Sequence, residues 1–372
     1  MPVNLRIPGP TPCPDEVLEA GAQPMINHRG PEFRDMIFRV TKRLQELFVT
    51  KNDLFVLTAS GTGAMEAAIV NTLSPGDKVL AVSIGEFGER FIQIAKVYGV
   101  NVQVVTAPPG KAIDPQDIRK ALRADPEIKA VIVTHNETST GVTNDIAGIS
   151  RVVKGEFDKL LLVDAISSIG SIPCSVDAWD LDVVTSGSQK GWMAPPGLAF
   201  ISMSKRAWQA QAQSKIPRFY FDLAAAKRYL ERGQTPWTPA VSVLYSLDAS
   251  LEMLANEGLE NVFNRHAQVA QACRNGIKKL GLKLFADEAV ASNTVTAVHT
   301  PPGVDGAKLL ALLESEYSVV LAGGQGSLSG KLFRVGHLGY CSLADIQGVM
   351  DALALALPRV GFTPAGVGGR SR

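Results

Sequence analysis

The chain has few cysteines, few aromatic residues and almost no net charge. Cysteine occurs at positions 13, 174, 273 and 341 of 372 residues, never in a C-x-x-C or similarly close spacing. Such a chain is not a disulfide scaffold, and its cysteine usage points to a reducing cytoplasm. Thirty-seven basic residues against 36 acidic ones leave a formal charge of +1. No global field therefore draws the protein to nucleic acid or to an anionic membrane, which leaves small molecules or a second copy of the chain as partners. Apolar runs are short. Lys159–Asp164 is strand-sized and ends in a polar residue, far below the roughly 20 residues of a membrane span. The opening MPVNLRIPGP lacks the charged-then-apolar pattern of a secretory signal. Neither an internal repeat nor a heptad run is present.

What is there suits a globular protein with a large interior. Hydrophobic residues make up 46% and charged ones 20%, and the length exceeds a usual single core, so two domains are expected. From Asp53 to about Phe200, apolar or β-branched runs alternate with segments of helical period: Leu54–Ala59, Lys78–Ser83, Val102–Thr106, Ala130–Thr134, Lys159–Asp164, Asp182–Ser186 and Leu198–Ser202. The alternation predicts an α/β fold, with a mostly parallel sheet flanked by helices. After the Pro-rich Gln234–Pro239, the stretch from Val241 to about Leu280 reads as one long helical pattern. It leads into a smaller C-terminal α/β domain with strands at Thr294–His299 and Leu332–Val335 and helices near Asp305–Glu316 and Leu343–Leu357. The predicted organisation is an N-terminal arm over 1–20, a large domain over 21–265, a small domain over 266–360 and a flexible tail over 361–372.

Ligands of parallel sheets gather at the carboxyl ends of the strands. Conspicuous polar residues stand at four such ends: Ser60-Gly61-Thr62, His135-Asn136-Glu137-Thr138, Asp164 and Lys190. Ser60-Gly61-Thr62 opens a helix, where free N–H groups bind phosphate; ordinary helix capping explains it as well. Glu66 and the absence of a nearby lysine separate it from dinucleotide and Walker loops. Asp164 closes an apolar strand, so its carboxylate is desolvated and needs a cationic partner, unless it caps the strand. Lys190 sits between Ser186-Gly187-Ser188-Gln189 and Gly191-Trp192-Met193-Ala194-Pro195-Pro196-Gly197, surroundings that a surface lysine does not require. Arg334 interrupts the apolar strand Leu332–Val335 as a ligand clamp or as a buried ion-pair member.

An apolar strand ending in Asp, followed by a Ser/Gly-rich run ending in Lys and then Ala-Pro-Pro-Gly, resembles the class V aminotransferases of the fold type I pyridoxal-phosphate enzymes. Within them the chain is most similar to the alanine–glyoxylate and serine–glyoxylate (serine–pyruvate) group, from Pro8-Gly9-Pro10-Thr11 and Asn27–Phe33 through Gly330–Gly336. The resemblance implies that Lys190 carries the cofactor as a Schiff base and that Asp164 pairs with the pyridine nitrogen. It implies that Ser60, Gly61, Thr62 and Gln189 bind the phosphate, which Thr238 completes from a neighbouring subunit of a homodimer with shared sites. Phe87, where the family often has Trp, stacks on the ring, and Thr138 bonds the phenolic oxygen. Gly9 lies against the substrate, and Arg334 clamps its carboxylate with a planar two-bond fork.

The implied reaction is ping-pong transamination of a small amino acid, alanine or serine, with glyoxylate or pyruvate. Aspartate or aminoethylphosphonate transamination, cysteine desulfuration through Cys341, and a catalytically silent subunit of a complex are the alternatives. Desulfurases place His before the lysine, where this chain has Gln189. His28 and Arg29 either reach a substrate across the dimer or are simply solvated. His135 is expected to pack in its turn, and His266 and His337 lack ligand-spaced partners for a metal.

Overall fold

The computed structural model describes residues 3–363. The tail expected over 361–372 lies, from residue 364 on, outside the described residues. Seven strands form the central sheet: β2 (Asp53–Thr58), β3 (Lys78–Ser83), β4 (Asn101–Thr106), β5 (Ala130–Thr134), β6 (Leu160–Asp164), β7 (Val183–Gly187) and β8 (Leu198–Met203). β1 (Asn4–Leu5) precedes them in the chain. Each strand falls within one residue of the apolar run that predicts it. The order across the sheet is β2-β8-β7-β6-β5-β3-β4. β7, β6, β5, β3 and β4 are mutually parallel, whereas β8 runs antiparallel to both β2 and β7.

The antiparallel step has a simple cause. A parallel return needs a crossover of a dozen or more residues, usually a helix, and residues 188–197 between β7 and β8 are too few. The chain folds straight back, leaving this loop, and Lys190 in it, at the carboxyl ends of the parallel strands.

The inner parallel strands β3, β5, β6 and β7 are largely apolar and buried because both sheet faces are covered there, whereas the edge strand β4 is exposed to half-buried. On β5, Val131 and Val133 point into one core cluster while Ala130 and Ile132 point into the other. Helices α1 (Pro31–Leu47) and α4 (Val241–Glu257) contribute to the first cluster; α2 (Gly61–Thr72) and α3 (Glu86–Val97) contribute to the second.

A third cluster draws on residues from Val269 to Leu357. It lies among α5 (Leu259–Lys279), α6 (Gly306–Tyr317), α7 (Leu343–Arg359) and a three-stranded antiparallel sheet. That sheet comprises β9 (Val295–His299), β11 (Ala322–Gly323) and the central β12 (Leu332–Gly336), while β10 (Val319–Val320) pairs in parallel with β1. The N-terminal segment is therefore tied to C-terminal elements. It then crosses to the loop after β7: Gly336 N–H donates to Arg6 O, and Thr11 N–H donates to Gln189 O at 3.0 Å.

The single helix read over Val241–Leu280 is a correction. The structure has two helices, α4 and α5, broken at Gly258. Its φ of +80° lies in the left-handed region that glycine alone enters without strain. A glycine inside a continuous helical pattern does not by itself mark such a break.

Candidate active site

Lys190 leaves the β7–β8 loop and turns back under the N-terminal segment. Its Nζ donates to the carbonyl of Pro8. Gly9 has φ +119°, and a methyl group there would stand 2.7 Å from Lys190 Cδ and Cε and overlap Nζ. Only a residue without a side chain lets the backbone pass this close. Thr11 Oγ1 donates to Lys190 O at 3.1 Å. Burial lowers the Lys190 pKa to about 8, with Asp164 opposing the fall and Arg334 and Arg90 assisting it.

Asp164, at the end of β6, is 3% exposed and makes no ion pair among the described residues. Oδ1 accepts from Ile166 N at 3.0 Å and Oδ2 from Thr134 Oγ1 at 3.2 Å. Burial raises its pKa to about 6; those two donors and Lys190 oppose the rise, and Glu137 adds to it. A cation or N–H donor arriving beside it would meet a carboxylate with spare acceptor capacity.

Arg334, on β12, also lacks an ion pair among the described residues. Nε donates to Gly323 O at 2.9 Å, and Nη1 to Thr138 O at 3.1 Å and Gln325 Oε1 at 3.3 Å. Neutral acceptors thus hold the fork while its charge stays uncancelled by a direct partner. Its pKa falls through burial, against the field of Glu137. Of the two sequence readings, the buried ion pair is the one this geometry does not contain.

At the start of α2, the Ser60 side chain makes no capping bond. Gly61 packs so closely on Ile166 that a methyl group would meet Cδ1 at 2.7 Å. Across from it, a methyl on Gly187 would lie 3.1 Å from Gln189 Oε1 and 3.5 Å from Gly61 N, so the helix start and Gln189 share one corner. Phe87, in the first turn of α3, carries Arg90 over its ring at 4.8 Å. Arg90 Nη1 in turn donates to Thr62 Oγ1 at 3.2 Å.

Other sequence candidates lie outside this cluster. Thr238 is exposed. Arg29 bonds Gln234 Oε1, Thr235 O and Pro236 O and sits over Tyr229; His28 is half-buried beside it. His135 packs edge-on against Trp179, and burial lowers its pKa to about 4. His266 accepts from Gly339 N, and His337 is bonded to Thr296.

Residues 3–345 match the family described as Aminotransferase class-V. The chain belongs to the class V aminotransferases. These are pyridoxal-phosphate enzymes of fold type I. A soluble hydrogenase 42 kDa subunit from Anabaena cylindrica is 45% identical, over 96% of this chain and 94% of its own length. An L-aspartate–glyoxylate aminotransferase from Paracoccus denitrificans is 40% identical, over 91% and 86%. The solved structure of an alanine–glyoxylate aminotransferase from Nostoc superposes with a TM-score of 0.92 at 31% identity, covering 96% of each chain.

The residues fit the family's cofactor. Gln189 ends in a buried amide whose Oε1 has no partner; turned over, the amide leaves that oxygen's place to its NH2, a donor that a phosphate oxygen satisfies. Beside it the first N–H groups of α2 have no intrahelical acceptor and suit a phosphate. Asp164 retains acceptor capacity for a ring N–H, and Phe87 offers a flat apolar face.

Two residues with no role in the sequence reading border this cluster. One is Arg90; the other is Glu137, fully buried in the turn after β5. Glu137 Oε2 accepts from Phe87 N at 3.0 Å and Gly88 N at 3.1 Å, while Oε1 accepts from Ser139 N and Oγ. It pins the first turn of α3, and Phe87 with it, to the Thr138 turn. Its partners on α3 lie some fifty residues back in the chain, so no local pattern discloses them; the only signal was an acid at a strand end. Glu137→Gln would turn a donor toward N–H groups that now find acceptors. The expected loss is about 1–3 kcal/mol in urea unfolding of the cofactor-free protein, the cost of leaving a buried polar group unsatisfied. An unfolding curve matching the wild type would contradict this.

Proposed function

We propose that the protein holds pyridoxal phosphate covalently on Lys190 and transfers the amino group of alanine or serine to glyoxylate or pyruvate in a ping-pong cycle. The observation that carries this reading is the convergence on Lys190 Nζ of a backbone wall at Pro8–Gly9, an unpaired buried carboxylate at Asp164 and an unpaired guanidinium at Arg334. Glyoxylate also stands in the names of the Paracoccus relative and the Nostoc structure.

When bound, the cofactor supplies a conjugated ring that takes up the electron pair freed at the substrate α-carbon. The chain does the rest. Arg334 orients the substrate by its carboxylate, through the two N–H groups of a planar fork. Asp164, ionised above about pH 6, keeps the ring nitrogen protonated. Thr138 would bond the ring's phenolic oxygen, and Phe87 would cover one ring face. Ser60, Gly61, Thr62 and Gln189 hold the phosphate. As a free amine, Lys190 Nζ would take up and return the proton at the substrate α-carbon, which requires an amine whose proton is exchangeable near physiological pH. A pKa of about 8 suits that task.

The site is shared in a homodimer on this reading. Phe219 and Tyr220 are 76% and 46% exposed; Tyr220 stacks on the half-buried Trp237 and Phe219 packs against it at a tilt, next to Thr238. An aromatic cluster of this kind suits burial against a second copy, which would bring Thr238 to the partner's phosphate. Four free thiols suit a reducing compartment such as the cytoplasm. Cys341, the thiol a desulfurase would need, is buried, and burial raises its pKa; it is poorly placed to act as a mobile nucleophile. Among the described residues, no helix is long and apolar enough to cross a membrane.

A donor panel tests the reading. The cofactor-loaded protein, given alanine, serine or aspartate in turn with glyoxylate, pyruvate or 2-oxoglutarate, is expected to turn over fastest with alanine or serine and with glyoxylate or pyruvate. Its cofactor absorbance band should change on addition of donor alone, as a ping-pong cycle demands. A band unmoved by all three donors would sink the proposal. Preference for aspartate would replace the donor and leave the reaction class.

A further inference from the structure

The phosphate cradle described above contains no full positive charge. Ser60, Gly61, Thr62, Gln189 and Thr238 are all neutral donors, and a helix start supplies only about half an elementary charge. A phosphate monoester carries between one and two negative charges near neutral pH. Half-compensated anions in partly enclosed sites are costly, so a cation within reach is to be expected.

We propose that the Arg90 guanidinium is the charged partner of the cofactor phosphate, an inference that rests on the reading of Lys190 as the cofactor's anchor. Two contacts and one longer-range field place this side chain. Its Nη1 donates to Thr62 Oγ1 at 3.2 Å, at the helix start that takes the phosphate. Its Cζ lies 4.8 Å from the centre of the Phe87 ring, the proposed platform for the cofactor. Its field also reaches Lys190 Nζ. The exposed Arg90 thus touches the phosphate loop and the ring platform, with its charge felt at the anchoring amine.

The local sequence explains the arrangement. Phe87 and Arg90 stand three residues apart on α3, hence on one helix face, and α3 packs against α2. Glu137 fixes the first turn of α3 through Phe87 N and Gly88 N, so the arginine's point of departure is fixed as well. Its charge is also free. Arg90 makes no ion pair among the described residues, and its acidic neighbours are turned elsewhere: Glu89 accepts from Ser83, and Glu86 lies against Gly326. A planar fork resting on an aromatic face and aimed at a hydroxyl beside a helix start suits a phosphate. The competing role is to hold the distal carboxylate of a dicarboxylic donor such as aspartate.

Pyridoxal and pyridoxal phosphate separate the two roles, because both link to Lys190 and only one carries the phosphate. Cofactor-free wild type, Arg90→Lys and Arg90→Gln are titrated with each compound and followed by absorbance, and each is assayed for alanine and aspartate turnover. Arg90→Gln is expected to weaken pyridoxal phosphate binding by about 10- to 100-fold, the range for losing a charge-assisted hydrogen bond. Pyridoxal binding should stay within about twofold, and Arg90→Lys should recover part of the loss. Inorganic phosphate is expected to compete with pyridoxal phosphate less well in the Gln variant than in the wild type. An equal loss for both compounds, no loss for either, or a defect confined to aspartate turnover would each overturn the assignment. Wild type that binds neither compound at Lys190 would instead overturn the cofactor reading beneath it.

Discussion

Lys190→Ala is expected to lower transamination by about 10,000-fold, the upper end of what a positioned proton carrier supplies. Donor KM should change far less, because Arg334 still orients the carboxylate. The variant should also lose the covalent link and with it the absorbance band of the bound cofactor. The pH dependence of that link follows from the pKa shifts in the cofactor-free protein. Only a neutral amine attacks an aldehyde, and Lys190 Nζ is neutral above about pH 8 and protonated below it. Capture of added pyridoxal phosphate should therefore quicken by about tenfold per pH unit below that value, as the neutral fraction of a weak base does, and level off above it. A capture rate flat from pH 6 to 9, or a Lys190→Ala enzyme close to wild type, would remove this lysine from its role.

Asp164→Asn is expected to reduce kcat by about 100- to 1,000-fold, the usual cost of removing one preorganised electrostatic partner. The change is nearly isosteric. The substituted side chain keeps an oxygen for Ile166 N–H and turns its amide toward the Thr134 hydroxyl, which can accept. The charge that would keep the ring nitrogen protonated is what goes. A kcat within tenfold of wild type would refute the pairing.

The same variant carries a second expectation of opposite sign. The folded-state pKa of Asp164, about 6, lies above the ordinary carboxylate value of 3.8. Ionised Asp164 therefore costs the cofactor-free fold stability, a cost absent below pH 3.8 and complete above pH 6. Cofactor-free Asp164→Asn should resist urea better than wild type at pH 7 and match it at pH 3.5. Losing activity while gaining stability is the signature of a group placed for chemistry.

The two kinds of information in this chain are unequally legible. The seven central strands can be read within a residue because burial on both sheet faces writes itself as short apolar runs between helical segments, and the exposed edge strand β4 still carries three valines. Lys190, Asp164 and Arg334 stand out because charge is rare in apolar or tightly turned surroundings. The break at Gly258 is not legible, since a left-handed backbone angle leaves no periodic trace. Glu137 and Arg90 escape notice for a different reason. Each sits in a stretch that carries a more conspicuous neighbour, Thr138 in one case and Phe87 in the other, and each acts on residues distant in the chain.

The sequence by itself determined which side chains end the strands, and hence which chemistry could gather at one edge of the sheet. It also determined family membership, since motif order and spacing survive in the linear chain. Only the tertiary structure decided the electrostatics of the site. Desolvation and fields depend on what surrounds a group in three dimensions. A lysine becomes a base of pKa about 8 because the Pro8–Gly9 backbone covers it and two guanidiniums face it. Arg334 stays free to bind because its neighbours are carbonyls rather than carboxylates. Those neighbours arrive from the N-terminal segment, the loop after β7, the turn after β5 and β12, and folding is what brings them together.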